Sequence, residues 1–372
     1  MIMKRIVFTS YINSSQYTDP EAWLKRIEGY REILEVLAKR HEVHSIEQIN
    51  YQGYLHHNQV HYHFLNFKKN TIFPNQLHNY IRKLEPEIVL VHGFVFPLQI
   101  IQLKSFLGSK TRIIVQNHAE KPLLGWRKQL QRNADSFVDA YLFTSVEMGN
   151  EWVHKKIIST RNKIREVMEA SSSFAPIEKE IAQQITKTEG NPVFLWVGRL
   201  DANKDPLTVI KAFIEFVSCQ PSSRLYMIYH TEELLEEARF LICSDEKARK
   251  NIFLIGQIPH QQMQNWYNSA DFIISGSHYE GSGVAVCEAM SCGCIPIVTN
   301  IASFRKMTGR GKCGFLYEPG NETELLSLLL ATTELNIEKE KMKVLEQFRQ
   351  ELSFAAIASK INQVIDPIET NV

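Results

Sequence analysis

Glu280 and Glu288 lie in the segment Ser-Gly-Ser-His-Tyr-Glu-Gly-Ser-Gly-Val-Ala-Val-Cys-Glu-Ala-Met, residues 275–290, where a short apolar run gives way to glycines and then to an amphipathic stretch. The pattern predicts a strand, an open turn and a helix start. Ser282 is the expected N-cap, and the amides of Gly283, Val284 and Ala285 are expected to project from the helix end, where an anion can bind them. Glu280 precedes the turn and Glu288 sits about one turn into the helix. Carboxylates repel phosphate but bond hydroxyls. An anion with hydroxyls on both sides of it describes a sugar nucleotide.

A second group of charges sits in Trp-Val-Gly-Arg-Leu-Asp-Ala-Asn-Lys-Asp-Pro, residues 196–206. Asp205 and Pro206 form a cap and first-turn signature for a helix carrying Leu207, Ile210, Ile214 and Val217. Arg199 and Lys204 are thereby placed around a strand-to-helix turn. The arginine suits a bidentate grip on phosphate oxygens and the lysine supplies a point charge.

These groups need elements to position them. Strand-like runs are predicted at 6–10, 43–46, 60–65, 88–92, 112–117, 141–144 and 164–168, with helical patterns between most of them, the clearest being 21–40. After a Ser/Pro-rich break, strands recur at 193–197, 224–229, 251–255, 271–275, 295–299 and 314–317. Alternation of this kind gives mostly parallel sheets covered on both faces. A doubly wound sheet of order 3-2-1-4-5-6 makes the first and fourth strands of the second half neighbours, and ligands bind at that switch point. The Arg199/Lys204 turn follows the first strand and the Glu280/Glu288 turn follows the fourth, so the two groups are expected to share one crevice around a diphosphate.

Together these residues resemble the retaining glycosyltransferases of family 4. Their Glu-x7-Glu pattern matches Glu280 and Glu288, and their Gly-Arg-Leu-x3-Lys pattern matches Gly198, Arg199, Leu200 and Lys204. The resemblance is strong over 191–320 and diffuse before it. It implies an α/β chain of GT-B fold, two Rossmann-like doubly wound domains facing across a cleft. Residues 1–172 would be the acceptor-binding domain and 173–190 a linker. Residues 191–350 would be the nucleotide-sugar-binding domain, and 351–372 a helix crossing back to the first domain. It further implies that Arg199 and Lys204 hold the donor diphosphate, with Gly283 and Val284 at the helix end. Glu288 would bond the ribose and Glu280 the sugar hydroxyls, while the turn containing Ile258 would read the base. The donor would be a UDP-, GDP- or ADP-sugar acting as substrate, with no cofactor and no metal. The acceptor would be a glycan or a lipid-linked glycan, as in cell-surface polysaccharide synthesis. The chain departs from the family in three places: residues 9–15 contain no glycine, Asp205 stands where glycine is common, and Ser282 replaces an apolar residue.

Weaker signals remain. His118 follows a strand end and is expected either to touch the donor sugar or acceptor or to be structural; His92 is similar. His56, His57, His61 and His63 cluster without the ligands of an ordinary zinc spacing, so a hairpin or edge strand is expected. The six cysteines form no Cys-x-x-Cys pair and are expected to be reduced core residues. Residues 121–132 mix Trp126 and leucines with cations, read either as a solvated segment or as a peripheral membrane contact. Formal charge is +1 overall, with 25 Lys+Arg against 19 Asp+Glu in residues 1–190 and 17 against 22 thereafter. No pull toward nucleic acid is expected from that balance. No apolar run approaches a membrane span, so a cytoplasmic protein, peripheral at most at the inner membrane face, is expected. A GT-B-fold sugar-nucleotide epimerase and a non-catalytic partner of a glycan assembly complex are the rival functions.

Overall fold

The computed structural model describes residues 3–67 and 72–366, and these divide into two compact units, the first made of the described residues up to 171 with 354–366 and the second of 172–353. In the first, the β-branched runs become β1 (Arg5–Ser10), β2 (Glu42–Glu47), β3 (Gly53–His57), β4 (Val60–Phe64), β5 (Ile88–His92), β6 (Arg112–Gln116), β7 (Ala140–Phe143) and β8 (Ile164–Glu166). They form one sheet of order β3-β4-β2-β1-β5-β6-β7-β8. Val7, Val89, Val91, Ile113, Val115 and Tyr141 are fully buried, as strands covered by helices on both faces require. Strand β3 is the antiparallel exception, paired with β4 across Asn58 and Gln59, both at positive φ. This is the geometry of a tight two-residue hairpin.

The helical pattern at 21–40 resolves into two helices, Pro20–Arg26 and Glu28–Ala38, broken at Ile27. Trp23 donates its indole N–H to the buried Glu47 at 2.9 Å from the first of them. The apolar stripe of the tail forms the helix Phe354–Ile365, whose Ile357, Ile361 and Ile365 are buried. It packs against Glu28–Ala38, and Arg112 donates to the carbonyls of Ile365 and Val364 at 2.9 Å each, satisfying the helix end. Residues 367–372 of the expected final helix lie outside the described residues.

The second unit contains β9 (Val193–Gly198), β10 (Arg224–Tyr229), β11 (Ile252–Gly256), β12 (Phe272–Ser275), β13 (Ile295–Thr299) and β14 (Phe315–Tyr317). All its strand pairs are parallel, in the order β11-β10-β9-β12-β13-β14, which is the expected 3-2-1-4-5-6. Across the switch point Phe194 stacks on Phe272 with centroids 5.0 Å apart. The stretch read as a linker is corrected in part: Lys179–Thr186 is a helix, with Ala182 buried, packed on the helix Met263–Ser269. Lys179 anchors it through Asp271, at 2.7 and 2.6 Å. Cys219 and Cys243 are exposed rather than core residues, because each falls on the solvent side of a helix end; the other four cysteines are buried and all six are free. No helix among the described residues is long and apolar enough to cross a membrane.

The expected histidine edge is present at β3-β4-β2. His44 Nδ1 meets His63 Nε2 at 2.9 Å, His63 Nδ1 meets the Tyr80 hydroxyl at 2.9 Å, and His61 stacks on His44. Among the described residues no group of three or more His, Cys, Asp or Glu side chains is arranged to hold a metal ion. Burial, then the neighbouring imidazoles, pushes His63 down to about 4, and burial does the same to His78. A histidine depressed in the folded state binds its proton more tightly when unfolded. Stability is therefore full above the ordinary value near 6.5 and is lost as pH falls toward 4. Urea denaturation followed in the first unit should show this loss, and the His63→Phe and His78→Phe variants should flatten it.

Candidate functional site

The site of the second unit is built where β9 and β12 end side by side. The chain leaves β12 through Gly276, and a Cβ there would meet the carbonyl oxygens of Asp205 at 2.8 Å and Lys204 at 3.0 Å. With hydrogen in that place the two loops lie backbone to backbone. His278 N–H donates to Asn203 O at 2.8 Å, and the Asn203 amide donates to Tyr279 O at 3.1 Å. Lys204 is thereby delivered to Glu280, and the two form an ion pair. Ser277, fully buried, donates to the same Glu280 oxygen at 2.6 Å. Asp205 caps the next helix as expected, accepting from Thr208 N–H with Pro206 in the first turn, but from the left-handed region at φ 42°. Arg199 points outward, half exposed, with its guanidinium 3.0 Å from Asp201.

The following helix is Val284–Ser291. Its cap is Gly283 rather than Ser282, because the chain turns into the helix in the left-handed conformation, φ 54°. A Cβ at Gly283 would also strike Phe304 at 2.6 Å. Ser282 is buried instead. Val286 and Cys287 take the Gly283 carbonyl, so the amides of Val284 and Ala285 stand at the helix end, and the Val284 side chain is exposed. Glu288 is buried, with Oε1 2.6 Å from His260 Nε2 and Oε2 accepting from the Tyr267 hydroxyl at 2.8 Å. Phe174 packs on the His260 ring at 5.1 Å. Ile258 is half-buried in the turn after β11, two residues before His260. His260, Tyr267 and Phe174 carry no motif of their own. Only the proximity of His260 to the Ile258 turn hinted at any of them.

His118 belongs to the first unit. Its Nδ1 is ion-paired with Glu169, its backbone N–H donates to Glu120 at 2.7 Å, and its Nε2 lies 2.9 Å from His92 Nδ1. Burial alone would lower its affinity for a proton, but the Glu169 hydrogen bond and charge, with Glu120, raise it above the ordinary value. His92 is held well below that value by burial and then by His118. In the glycine-free loop after β1, Tyr11 turns inward and its hydroxyl meets His78 Nε2 at 2.9 Å, while Ile12 faces outward.

Residues 177–347 match the sequence profile of the family described as Glycosyl transferases group 1. The poly(glycerol-phosphate) alpha-glucosyltransferase of Bacillus subtilis is 27% identical over 177 residues, 46% of this chain and 26% of that protein. The UDP-Gal:alpha-D-GlcNAc-diphosphoundecaprenol alpha-1,3-galactosyltransferase of Escherichia coli is 28% identical over 166 residues, 43% and 42% of the two chains. The GDP-mannose:cellobiosyl-diphosphopolyprenol alpha-mannosyltransferase of Xanthomonas campestris is 24% identical over 302 residues, 78% and 69%. The first two matches thus span less than half of the relative's length. Among solved structures, a glycosyltransferase from Rickettsia africae superposes with a TM-score of 0.75 at 15% identity, covering 100% of this chain and 99% of that one. The Anabaena protein HepE in complex with UDP and glucose gives 0.67 at 13%, covering 98% and 100%. The fold is GT-B, with two Rossmann-like α/β domains.

The Gly276 contact makes a direct prediction. Gly276→Val should destabilise the second unit by roughly 1–3 kcal/mol in urea denaturation. It should also separate Lys204 from Glu280, which a structure of the variant would show.

Proposed function

We propose, from the match of residues 177–347 to the glycosyl transferases group 1 family, that the chain is a retaining glycosyltransferase. It moves a sugar from a nucleotide-diphosphate-sugar donor to a glycan or lipid-linked glycan acceptor in cell-surface polysaccharide synthesis. The observation that carries this reading is the Lys204–Glu280 pair held next to the helix that begins at Val284 and bears Glu288.

In the proposed donor complex the diphosphate takes Lys204 from Glu280 and Arg199 from Asp201, and its remaining charge faces the amides at Gly283–Val284. Glu280, released, accepts from the sugar hydroxyls. Glu288 accepts from the ribose, and the turn at Ile258 borders the base. The anomeric carbon–oxygen bond breaks with its electron pair going to the diphosphate, which these cations stabilise as its charge develops. The acceptor oxygen attacks from the face the diphosphate leaves, and its proton passes to a phosphate oxygen. Because Arg199 and Lys204 supply the countercharge, the proposed step uses no metal. The reading of His118 as a contact of the sugar or acceptor rests on the family resemblance alone.

A thermal-shift titration with UDP, GDP and ADP tests the donor site. One nucleotide at a hundredfold excess over its dissociation constant should stabilise the protein by about 2.7 kcal/mol. A shift with none of them would favour a non-catalytic partner. Glu288→Ala should weaken nucleotide binding more than Glu280→Ala, while both should reduce transfer; wild-type transfer by both would overturn the assignment.

The acceptor side of the proposal rests on the segment leading into the helix Gly125–Asp135. Leu124 is 85% exposed and Trp126 71% exposed, and the Arg127 guanidinium lies 5.5 Å from the Trp126 ring. Lys121, Lys128 and Arg132 complete a run without acids from 121 to 134. Apolar side chains set among cations suit a surface of anionic lipid. The protein should therefore sediment with phosphatidylglycerol vesicles and not with phosphatidylcholine vesicles. The double variant Leu124→Ser, Trp126→Ser should lose that binding while retaining its response to nucleotide.

A further inference from the structure

Glu288 is buried, and its two oxygens have partners of different kinds. Oε2 accepts from the Tyr267 hydroxyl at 2.8 Å, and Oε1 lies 2.6 Å from His260 Nε2. An ionised carboxylate only accepts, so the imidazole hydrogen of this contact sits on Nε2. Tyr267 is 1% exposed and belongs to the helix Met263–Ser269, which packs against the helix Val284–Ser291 that carries Glu288. Its hydrogen bond therefore joins two packed helices. The His260 side chain is 62% exposed and comes from the short helical turn His260–Gln262, in the connection between β11 and the helix of Tyr267. The Phe174 ring lies beside both, its centroid 5.1 Å from that of His260 and 6.2 Å from that of Tyr267.

Desolvation separates the two partners. A buried donor that loses its acceptor bears the full cost of its missing water, and Tyr267 is in that position. When His260 turns away, its exposed ring meets solvent and recovers a hydrogen bond there. Glu288 thus has one firmly held partner and one readily exchanged partner. Its Oε1 remains buried in either case, so the exchange is balanced only when another donor reaches that oxygen. We propose that His260 is a latch on the donor site: it closes Oε1 of Glu288 in the empty protein and must leave before a ribose hydroxyl can bond there. This role of His260 rests on the donor-site reading of Glu288. Nucleotide affinity is then reduced by the fraction of molecules in which the latch is open. The same competition favours departure of the nucleoside diphosphate after transfer, because His260 retakes Oε1 as the ribose leaves.

Isothermal titration calorimetry on the intact protein tests the latch, with UDP, GDP and ADP and the 2′,3′-dideoxy form of each as probes. His260→Ala should bind the recognised nucleotide about tenfold more tightly, the net worth of one hydrogen bond to a charged group. His260→Phe, which keeps a ring beside Phe174, should show the same gain, and His260→Gln, which keeps a donor, should fall between them and the wild type. The dideoxy form has no hydroxyl for Glu288, so its affinity should not change with these substitutions. In a Glu288→Ala background, His260→Ala should likewise change nothing. Weaker or unchanged binding by His260→Ala and His260→Phe would overturn the latch, the former making His260 a nucleotide contact. An equal gain with the dideoxy form would also overturn it, because His260 would then obstruct the site without acting through Glu288. Binding without the gain sinks the latch alone. Heat from none of the three nucleotides with any variant would sink the donor-site reading, and the latch with it.

Discussion

The second unit depends on a single close approach of backbone to backbone. Gly276 leaves β12 against the carbonyls of Lys204 and Asp205, at distances that no side chain tolerates. Parallel pairing of β9 with β12 brings the strand ends together, and the missing Cβ lets their loops touch. The Asn203, His278 and Tyr279 hydrogen bonds then fix the register of one loop on the other. A lysine and a glutamate 76 residues apart in sequence become an ion pair through backbone packing rather than through their own attraction. An ion pair at a partly exposed position contributes little by itself. The scaffold therefore positions the charges, and the charges are left available for a ligand.

The same economy runs through the rest of the site. Arg199 is paired with Asp201, Lys204 with Glu280, and Glu288 with His260 and Tyr267. A buried charge without a partner costs several kcal/mol, and here each charge has one; the proposed donor, a polyanion with hydroxyls, would take over those places. Each pairing can be exchanged for a ligand group of the same sign: phosphate for Asp201 or Glu280, hydroxyl donors for His260 or Tyr267.

Two histidine systems in the first unit show how little residue type alone decides. His44, His61 and His63 lie on the β3-β4-β2 edge, hydrogen-bonded or stacked on one another; burial lowers the proton affinity of all three, and neighbouring imidazoles lower it further at His61 and His63. His118 and His92 are also hydrogen-bonded to each other, yet the carboxylate of Glu169 keeps a charge on His118 while burial suppresses it on His92. Each system has a carboxylate at hand: at His44 the one from Glu42 is outweighed by burial, whereas at His118 Glu169 and Glu120 together outweigh it.

Strand order and the meeting of the turns that follow β9 and β12 were legible in the sequence, because short apolar runs and glycine-marked turns are local signals and a doubly wound sheet has few permitted orders. The sequence by itself also determined the cap at Asp205 and the apolar stripe of the last helix. It misplaced the next helix cap, since Ser282 is the better capping residue but only Gly283 accepts the left-handed turn and the contact with Phe304. It missed the helix within residues 179–186, whose apolar face is completed by packing on Met263–Ser269. The partners of each charge belonged to the tertiary structure alone. Which acid meets Lys204, that His260 and Tyr267 share Glu288, and that Glu169 reaches His118 all depend on loops meeting across strands distant in sequence, and no periodicity along the chain records such meetings.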